Sequence, residues 1–206
     1  MTSAGPLASA QPCTIAGLFT PDECLRLRRQ MDASFQQQAE VWLGDDFGVS
    51  PESRLSTIAT LSDAAEQSVH ARLWDVMAQL EERYACAVSH LSAVTALIYG
   101  RGGHFAAHSD GGVDEDPPPE IARRRVSLVV ALNDGASTRP DFSGGELRFY
   151  PRCAPGAMPQ PGAQIVSVRS EPGLLIAFPS PMVHQVMPVA AGCRYSLALW
   201  ALAPEP

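Results

Sequence analysis

From residue 91 onward the sequence divides into short runs of strand-forming residues, and this pattern constrains the fold more than any other feature. Each run is bounded by Gly, Pro, Asn or Asp, as strands in antiparallel sheets commonly are. The runs read LSAVTALIYG, RVSLVVALND, GGELRFYP, QIVSVRS, GLLIAFPS, MVHQVMPV and RYSLALWAL. Because no helical pattern separates them, their spacing predicts an antiparallel barrel or jelly roll rather than a parallel sheet.

Two amphipathic helices precede the strands. Thr20 can cap the first, with Pro21 at its first position and Glu23 completing a capping box. Apolar residues of the second recur at three- and four-residue intervals, at Val69, Leu73, Val76, Met77 and Leu80. Several later strands are apolar on both faces, which requires a covering layer on each face. We therefore expect a mainly β (α+β) fold with two or more N-terminal helices packed on one sheet.

The 206 residues are predicted to form one domain. Residues 1–14 are rich in Ala, Ser, Gly and Pro, which predicts a flexible N-terminus, so the domain is expected to span 15–206. Residues 111–122 are acidic and contain three consecutive prolines, which cannot form a strand ladder. They are expected to form a surface loop, either a mobile flap over a site or a solvated connection.

Composition excludes several classes of function. The net charge is −7, and the only basic run is Arg-Arg-Arg at 123–125, so nucleic acid is not expected as a partner. All fifteen basic residues are Arg, which excludes Schiff-base chemistry and a Walker-type phosphate lysine. No apolar run approaches the roughly 20 residues that span a bilayer. Five scattered Cys with no C-x-x-C pair, and no signal peptide, predict reduced thiols in a cytoplasmic protein rather than a zinc site.

Three residues suggest a metal site. His108 and Asp110 are two apart in GGHFAAHSDGG, so in an extended segment both side chains point to the same side. His184, in FPSPMVHQV, can supply a third ligand from a distant strand. Two His and one carboxylate on one face of a metal, with the other positions open, are the ligand set of non-haem Fe(II) oxygenases. Taken alone, the triad predicts only a metal site.

Arg194 follows His184 by ten residues, and it predicts an anion-binding site beside the metal site. We interpret the segment between them as a hairpin with its turn at VAAGC, which places Arg194 near the metal. An Arg inside a barrel requires an anionic partner, and a carboxylate suits its guanidinium best. Ser196 faces the same way, and Tyr99 ends the strand before His108, so both can contact that carboxylate. An ion pair with a protein carboxylate is the alternative.

Several segments of the sequence resemble those of a known family. LIYGRGGHFAAHSD is similar to the Tyr-x-x-Gly-x-x-Phe-x-x-His-x-Asp signature of prolyl 4-hydroxylase-like Fe(II)/2-oxoglutarate-dependent dioxygenases. FSGGELRFY resembles that family's Gly-Gly-Glu strand, and VHQVMPVAAGCRYS resembles its closing His-x-Val and Arg-x-Ser segment. An Arg-Leu-Ser at 54–56 is similar to an upstream Arg-x-Ser stretch, so the resemblance covers roughly residues 18–202.

The resemblance implies a double-stranded β-helix, a jelly-roll or cupin-like fold. It implies that His108, Asp110 and His184 bind Fe(II). It also implies that Arg194, helped by Tyr99 and Ser196, binds 2-oxoglutarate, with ascorbate as a possible reductant. Related halogenases lack the carboxylate ligand, so Asp110 favours hydroxylation.

Four further residues are candidate substrate contacts, each with a simpler alternative. Arg54 could hold a substrate carboxylate or be an ordinary surface residue. Trp42 could belong to a lid or pack against the barrel. His104, where the family more often has a polar or aromatic residue, could lie at the rim of the site or at the surface. Glu146, in GGEL, could contact substrate, accept a hydrogen bond from a residue that binds the metal, or have only a structural role in its strand.

The leading hypothesis is a hydroxylase acting on an unactivated C–H bond of a free amino acid or small metabolite, because little beyond a catalytic core is recognisable. A peptidyl-prolyl 4-hydroxylase acting on protein is the first alternative. A cupin-like barrel that binds a metal or small acid without turnover is the second. Arg194 and Tyr99 argue against the barrel, because metal binding alone needs no carboxylate anchor.

Overall fold

The computed structural model describes residues 11–42, 46–111 and 117–205. Within these ranges the helices are α1 (Pro21–Ala33), α2 (Asp63–Tyr84) and α3 (Pro119–Arg123). The strands are β1 (Cys13–Ile15), β2 (Gln36–Gln38), β3 (Val41–Trp42), β4 (Phe47–Gly48), β5 (Arg54–Leu55), β6 (Thr57–Ala59), β7 (His90–Leu91), β8 (Thr95–Tyr99), β9 (His104–His108), β10 (Arg124–Ala131), β11 (Phe142–Gly144), β12 (Leu147–Phe149), β13 (Val166–Val168), β14 (Leu175–Pro179), β15 (His184–Val186), β16 (Val189–Gly192) and β17 (Arg194–Leu202).

Two antiparallel sheets form the body of the domain. The larger has the order β1-β14-β10-β17-β8-β6-β2, with β7 also pairing with β17. The smaller has the order β13-β12-β15-β9-β5. Aromatic and aliphatic side chains of both sheets meet in one buried cluster that includes Tyr99, Phe149, Phe178 and Val186. The sheets therefore face each other as in a jelly roll, which confirms the predicted fold class.

The N-terminal helices cover the outer face of the larger sheet. Leu27 and Met31 of α1 share a second buried cluster with Leu73 of α2 and with Leu128 and Leu199 of the sheet. The larger sheet is thus apolar on both faces because one packs on helices and the other on the smaller sheet. Thr20 and Glu23 form the predicted capping box at the start of α1. No described helix is long and apolar enough to cross a membrane.

Three expectations from the sequence need correction. Cys13 and Thr14 lie in β1, paired with β14, so the flexible N-terminus predicted for 1–14 extends too far. Within the loop predicted for 111–122, residues 119–122 belong to helix α3, and 112–116 lie outside the described residues. His184 and Arg194 are not on paired strands, because β15 pairs with β9 and β12 in the smaller sheet, whereas β17 lies in the larger.

Candidate active site

The three predicted metal ligands converge between the two sheets. His108 ends β9 and His184 begins β15, and the two are direct partners in the antiparallel ladder. Asp110 follows two residues after His108, with its carboxylate oxygens 3.4 Å from His108 Nε2 and 3.5 Å from His184 Nε2. One ligand atom from each residue lies within 4.8 Å of the others, which suits a single metal ion.

Backbone carbonyls set the orientation of both imidazoles. The carbonyl of Ala106 lies 2.8 Å from His108 Nδ1, and that of Met182 lies 2.9 Å from His184 Nδ1. A carbonyl can only accept a hydrogen bond, so each Nδ1 carries a proton, and in the neutral imidazole Nε2 then keeps a free lone pair. Both lone pairs belong to the nitrogens nearest Asp110, as metal coordination requires.

Two buried serines hold the carboxylate of Asp110. Ser127 on β10 donates a hydrogen bond of 2.6 Å to Asp110 Oδ2, and the Ser180 hydroxyl lies 3.1 Å from that of Ser127. Because Ser127 has one hydroxyl proton and gives it to the carboxylate, Ser180 must donate to Ser127. The amide of Asp110 donates to the carbonyl of Ser180, 2.9 Å away. Asp110 is therefore fixed by both its side chain and its backbone.

The protonation states of the cluster suit a cation. Burial lowers the pKa of His184 to about 4, with His108 adding to the effect and Asp110 opposing it. Burial works against ionisation of Asp110, but His184, His108 and the Ser127 hydroxyl together hold its pKa well below its usual range. His184 is therefore neutral and Asp110 ionised at neutral pH, the states in which both groups bind metal.

Arg194 is a buried cation with unsatisfied hydrogen-bond donors. Its side chain is 1% exposed, and its Nη1 donates to Ser196 Oγ at 2.8 Å. Its Nε and Nη2 have no partner among the described residues, and no ion pair joins it to a described carboxylate. A buried guanidinium in this state is costly unless an anion enters. The alternative of an ion pair within the protein is therefore not observed in the described ranges.

Tyr99 and Gly145 shape the surroundings of Arg194. Tyr99 is the partner of Arg194 across the β8–β17 ladder, and its ring centroid lies 5.1 Å from the guanidinium carbon. Gly145 has a φ of +66°, and a Cβ there would lie 3.2 Å from Arg194 Cδ. The Gly-Gly-Glu segment noted in the sequence thus leaves room for the arginine stem.

These groups line one cleft of about 280 Å³. His108, Asp110 and His184 line it, together with Arg194, Ser196 and Tyr99. The cleft therefore brings the metal-ligand cluster and the buried guanidinium together in a volume suited to small ligands.

Of the four candidate substrate contacts, the structure places one in the cleft. Arg54 lines it, stacked on Phe105 at 4.7 Å, with its Nε donating to Ser56. His104 and Glu146 do not line it. The His104 ring nitrogens instead lie 3.0 and 3.1 Å from the carbonyls of residues 102 and 52. Trp42 lies in β3, and its side chain is outside the described residues.

The cleft lining also includes residues that were not predicted from the sequence, among them Ser127, Arg124 and Trp200. Trp200 lies six residues after Arg194 on one strand, so strand alternation could have predicted that both face the same side. Ser127 and Arg124 could have been predicted only by knowing which strand lies beside β17.

Comparison with known proteins identifies the family. The model of the 2OG-Fe(II) oxygenase superfamily matches residues 94–202, which carry all three candidate ligands and Arg194. The chain belongs to this superfamily. It is therefore an Fe(II)- and 2-oxoglutarate-dependent dioxygenase, and the predictions of Fe(II) and 2-oxoglutarate are confirmed.

Individual relatives of this dioxygenase are hydroxylases. The chain is 26% identical over 190 residues to a PKHD-type hydroxylase of Pseudomonas putida (strain W619), covering 90% of this chain and 76% of that protein. It is 26% identical over 195 residues to a PKHD-type hydroxylase of Cupriavidus metallidurans, with the same coverage. Membership of this family sets aside the non-catalytic barrel considered from the sequence.

Solved structures share the fold. A prolyl-4-hydroxylase of Pseudomonas putida superimposes with a TM-score of 0.69 at 21% identity, covering 97% of this chain and 96% of that one. A prolyl hydroxylase from Trichoplax adhaerens, in complex with a hypoxia inducible factor peptide fragment, gives 0.71 at 18% identity and 95% and 85% coverage. A viral collagen prolyl hydroxylase of Paramecium Bursaria Chlorella virus-1, in complex with 2-oxoglutarate, gives 0.66 at 16% identity and 97% and 100% coverage.

Proposed function

We propose that this dioxygenase hydroxylates an unactivated C–H bond of a free amino acid or another small metabolite. The observation that carries the proposal is the convergence, in one cleft of about 280 Å³, of the His–Asp–His cluster and the buried Arg194, two of whose donors have no acceptor among the described residues. A cleft of this size suits a small molecule beside the cosubstrate.

In this proposal His108, Asp110 and His184 hold Fe(II), and Arg194, with Ser196 and Tyr99, holds the distal carboxylate of 2-oxoglutarate. The residues present fit both groups. Two Nε2 lone pairs and an ionised carboxylate form the donor set that Fe(II) takes in such enzymes. The unpartnered Nε and Nη2 of Arg194 can both donate to an incoming carboxylate.

When bound, Fe(II) and 2-oxoglutarate supply dioxygen activation, coupled to oxidative decarboxylation of the cosubstrate. The protein's own contribution is positioning. The carbonyls of Ala106 and Met182 keep the imidazoles aimed at the metal, and Ser127 keeps the carboxylate from rotating. Burial between the sheets limits water around Arg194, so its bonds to an anion are strengthened.

The test is a metal titration and a turnover assay on purified protein. With Fe(II), ascorbate and dioxygen we expect consumption of 2-oxoglutarate and formation of succinate when a substrate is present. His108→Ala should lose Fe(II) binding, whereas His90→Ala, a control on the remote strand β7, should keep it. Wild-type affinity for Fe(II) in His108→Ala would contradict the proposed ligand set.

A second candidate function is hydroxylation of a prolyl residue in a peptide or protein. The names of the relatives favour it, since they include PKHD-type hydroxylases and a prolyl hydroxylase in complex with a peptide fragment. Mass spectrometry after incubation with free L-proline and, separately, with proline-containing peptides distinguishes the two candidates. A gain of one oxygen atom on the free amino acid alone supports the first, and a gain on the peptides alone supports the second.

A further inference from the structure

One buried amide side chain holds the backbone on both sides of Arg194. Asn133 comes two residues after the end of β10, in the run VALND, and it is 0% exposed. Its Nδ2 donates to the carbonyl of Cys193 at 2.8 Å, and its Oδ1 accepts from the amide of Tyr195 at 2.9 Å. A carbonyl can only accept and an amide N–H can only donate, so these partners also fix the orientation of the carboxamide. Asn133 is therefore bonded to the residues immediately before and after Arg194.

These two bonds extend a strand ladder beyond the point where its backbone pairing ends. The last residue of β10 that pairs with β17 is Ala131, opposite Ser196, and the amide of Leu132 then donates to the carbonyl of Tyr195 at 3.0 Å. In a regular antiparallel pair the amide of Tyr195 would donate back to the carbonyl of Leu132. It donates to the side chain of Asn133 instead. The carboxamide thus takes the place of a backbone partner for the start of β17.

Arg194 needs this support because it lies where the chain passes from one sheet to another. Strand β16, in a two-stranded sheet, ends at Gly192 with a φ of +75°, and β17 of the larger sheet begins at Arg194. The pairing of β17 with β8 also ends here, at Arg194 and Tyr99. Within the described ranges the guanidinium makes one hydrogen bond, to Ser196. The direction of the guanidinium therefore depends strongly on the backbone from which the side chain starts.

We propose that Asn133 is a positioning residue for 2-oxoglutarate, which aims the guanidinium of Arg194 at the distal carboxylate by holding the backbone on both sides of it. This inference rests on the proposed function and adds to it a residue that does not line the cleft. The unpartnered Nε and Nη2 of Arg194 have to meet two carboxylate oxygens at once, and such a paired contact is sensitive to angle. A small displacement of the guanidinium should therefore cost affinity for the dicarboxylic cosubstrate without disturbing the metal ligands.

The test compares two keto acids of equal chain length, 2-oxoglutarate and 2-oxopentanoate, which has a methyl group in place of the distal carboxylate. Both bind to protein loaded with Mn(II), which replaces Fe(II) without turnover; calorimetry measures the first and competition the second. Only 2-oxoglutarate can engage Arg194, so the ratio of the two affinities measures that contact and should be about 100 or more in the wild type. Asn133→Ala should lower the affinity for 2-oxoglutarate about ten-fold and leave that for 2-oxopentanoate unchanged, because one charge-assisted hydrogen bond is misaligned.

A matched control lies at the other end of the same strand. Ser92 is also buried, and its Oγ accepts from the amide of Trp200 at 3.0 Å, so it supports the backbone of β17 far from Arg194. Ser92→Ala should leave the affinity for 2-oxoglutarate unchanged. Asn133→Ser is a milder variant that keeps a polar group at this position, and its loss of affinity should be smaller and of the same kind. Urea denaturation of each variant reports its stability separately from its binding.

Several outcomes would overturn the inference. These are an unchanged affinity ratio in the folded Asn133 variants, an equal loss for both keto acids, or the same loss for 2-oxoglutarate in Ser92→Ala. Failure of both Asn133 variants to fold would assign the residue to stability alone and would also overturn it. Arg194→Gln separates this inference from the proposed function. If that variant binds 2-oxoglutarate as the wild type does, the proposed function is refuted; if it binds weakly while Asn133→Ala binds normally, only the role of Asn133 is refuted.

Discussion

Removal of one buried hydroxyl should weaken metal binding without unfolding the protein. Ser127 is 1% exposed, and its Oγ lies 2.6 Å from Asp110 Oδ2. Ser127→Ala deletes this donor and leaves the carboxylate free to rotate about its own side-chain bonds. The Ser180 hydroxyl loses its acceptor at the same time. The amide of Asp110 still donates to the carbonyl of Ser180, so the backbone should stay in place.

The expected loss of Fe(II) affinity follows from the type of hydrogen bond that Ser127 makes. A hydrogen bond to an ionised carboxylate contributes about 1.5–3 kcal/mol, and removal of an outer partner of a metal ligand typically costs 10- to 100-fold in affinity, or about 1.4–2.8 kcal/mol. We therefore expect Ser127→Ala to raise the dissociation constant for Fe(II) roughly 10- to 100-fold. Ser127→Thr retains the hydroxyl and should restore most of the affinity.

The assay is anaerobic titration of metal-free protein with Fe(II), alongside urea denaturation of the same samples. Ser180→Ala serves as the control, because it removes the next link of the chain without touching the carboxylate of Asp110, and its effect should be smaller. Unchanged Fe(II) affinity in Ser127→Ala would refute the reasoning. So would an equal loss in Ser127→Thr, since that would point to packing rather than to the hydroxyl.

Three further predictions concern Arg194 as the proposed anchor of 2-oxoglutarate, the fold and the thiols. Arg194→Gln should raise the KM for 2-oxoglutarate about 100-fold or more, from the loss of a buried charge-assisted pair, while Fe(II) affinity measured by titration stays unchanged. Gly173→Ala should lower the free energy of unfolding in urea by about 3 kcal/mol, because φ is +79° and the new Cβ would collide with the carbonyl oxygen of Phe19. A loss under about 1 kcal/mol would contradict this prediction. Burial raises the pKa of Cys24 to about 11. At about pH 8 its thiol should therefore resist alkylation until the protein is unfolded, whereas exposed Cys193 should react in the native state, as mass spectrometry of the alkylated peptides would show.

The sequence predicted the parts of the site that depend on local periodicity. His108 ends β9 and Asp110 follows two residues later, so their convergence is what the i and i+2 spacing of an extended segment predicts. Arg194 and Ser196 are related in the same way on β17. The capping box at Thr20 is also local, and it begins α1 as predicted.

Strand pairing could not be predicted in this way. The segment between His184 and Arg194 has the composition of a hairpin, but the two residues lie on strands of different sheets. Strand β16 instead pairs with β11. Composition indicates that a segment is extended, whereas the choice of partner depends on contacts with residues far away in sequence. Arg124 illustrates the same limit, because in the sequence it belongs to a basic run, and only the structure shows its guanidinium over the ring of Trp200 in the lining of the cleft.

Strand β17 explains how helix packing supports the chemistry of the cleft. The side chains on its inner face line the cleft from one end to the other, and those on its outer face pack beneath the helices. The inner set is Arg194, Ser196, Ala198 and Trp200. The outer set is Leu197, Leu199 and Ala201. A register shift of one residue would turn every one of these side chains to the opposite face. The outer leucines would then meet the cleft, and the buried guanidinium of Arg194 would face the apolar underside of α1 and α2. Burial of the outer set against the helices therefore fixes the register that aims the inner set at the metal-ligand cluster.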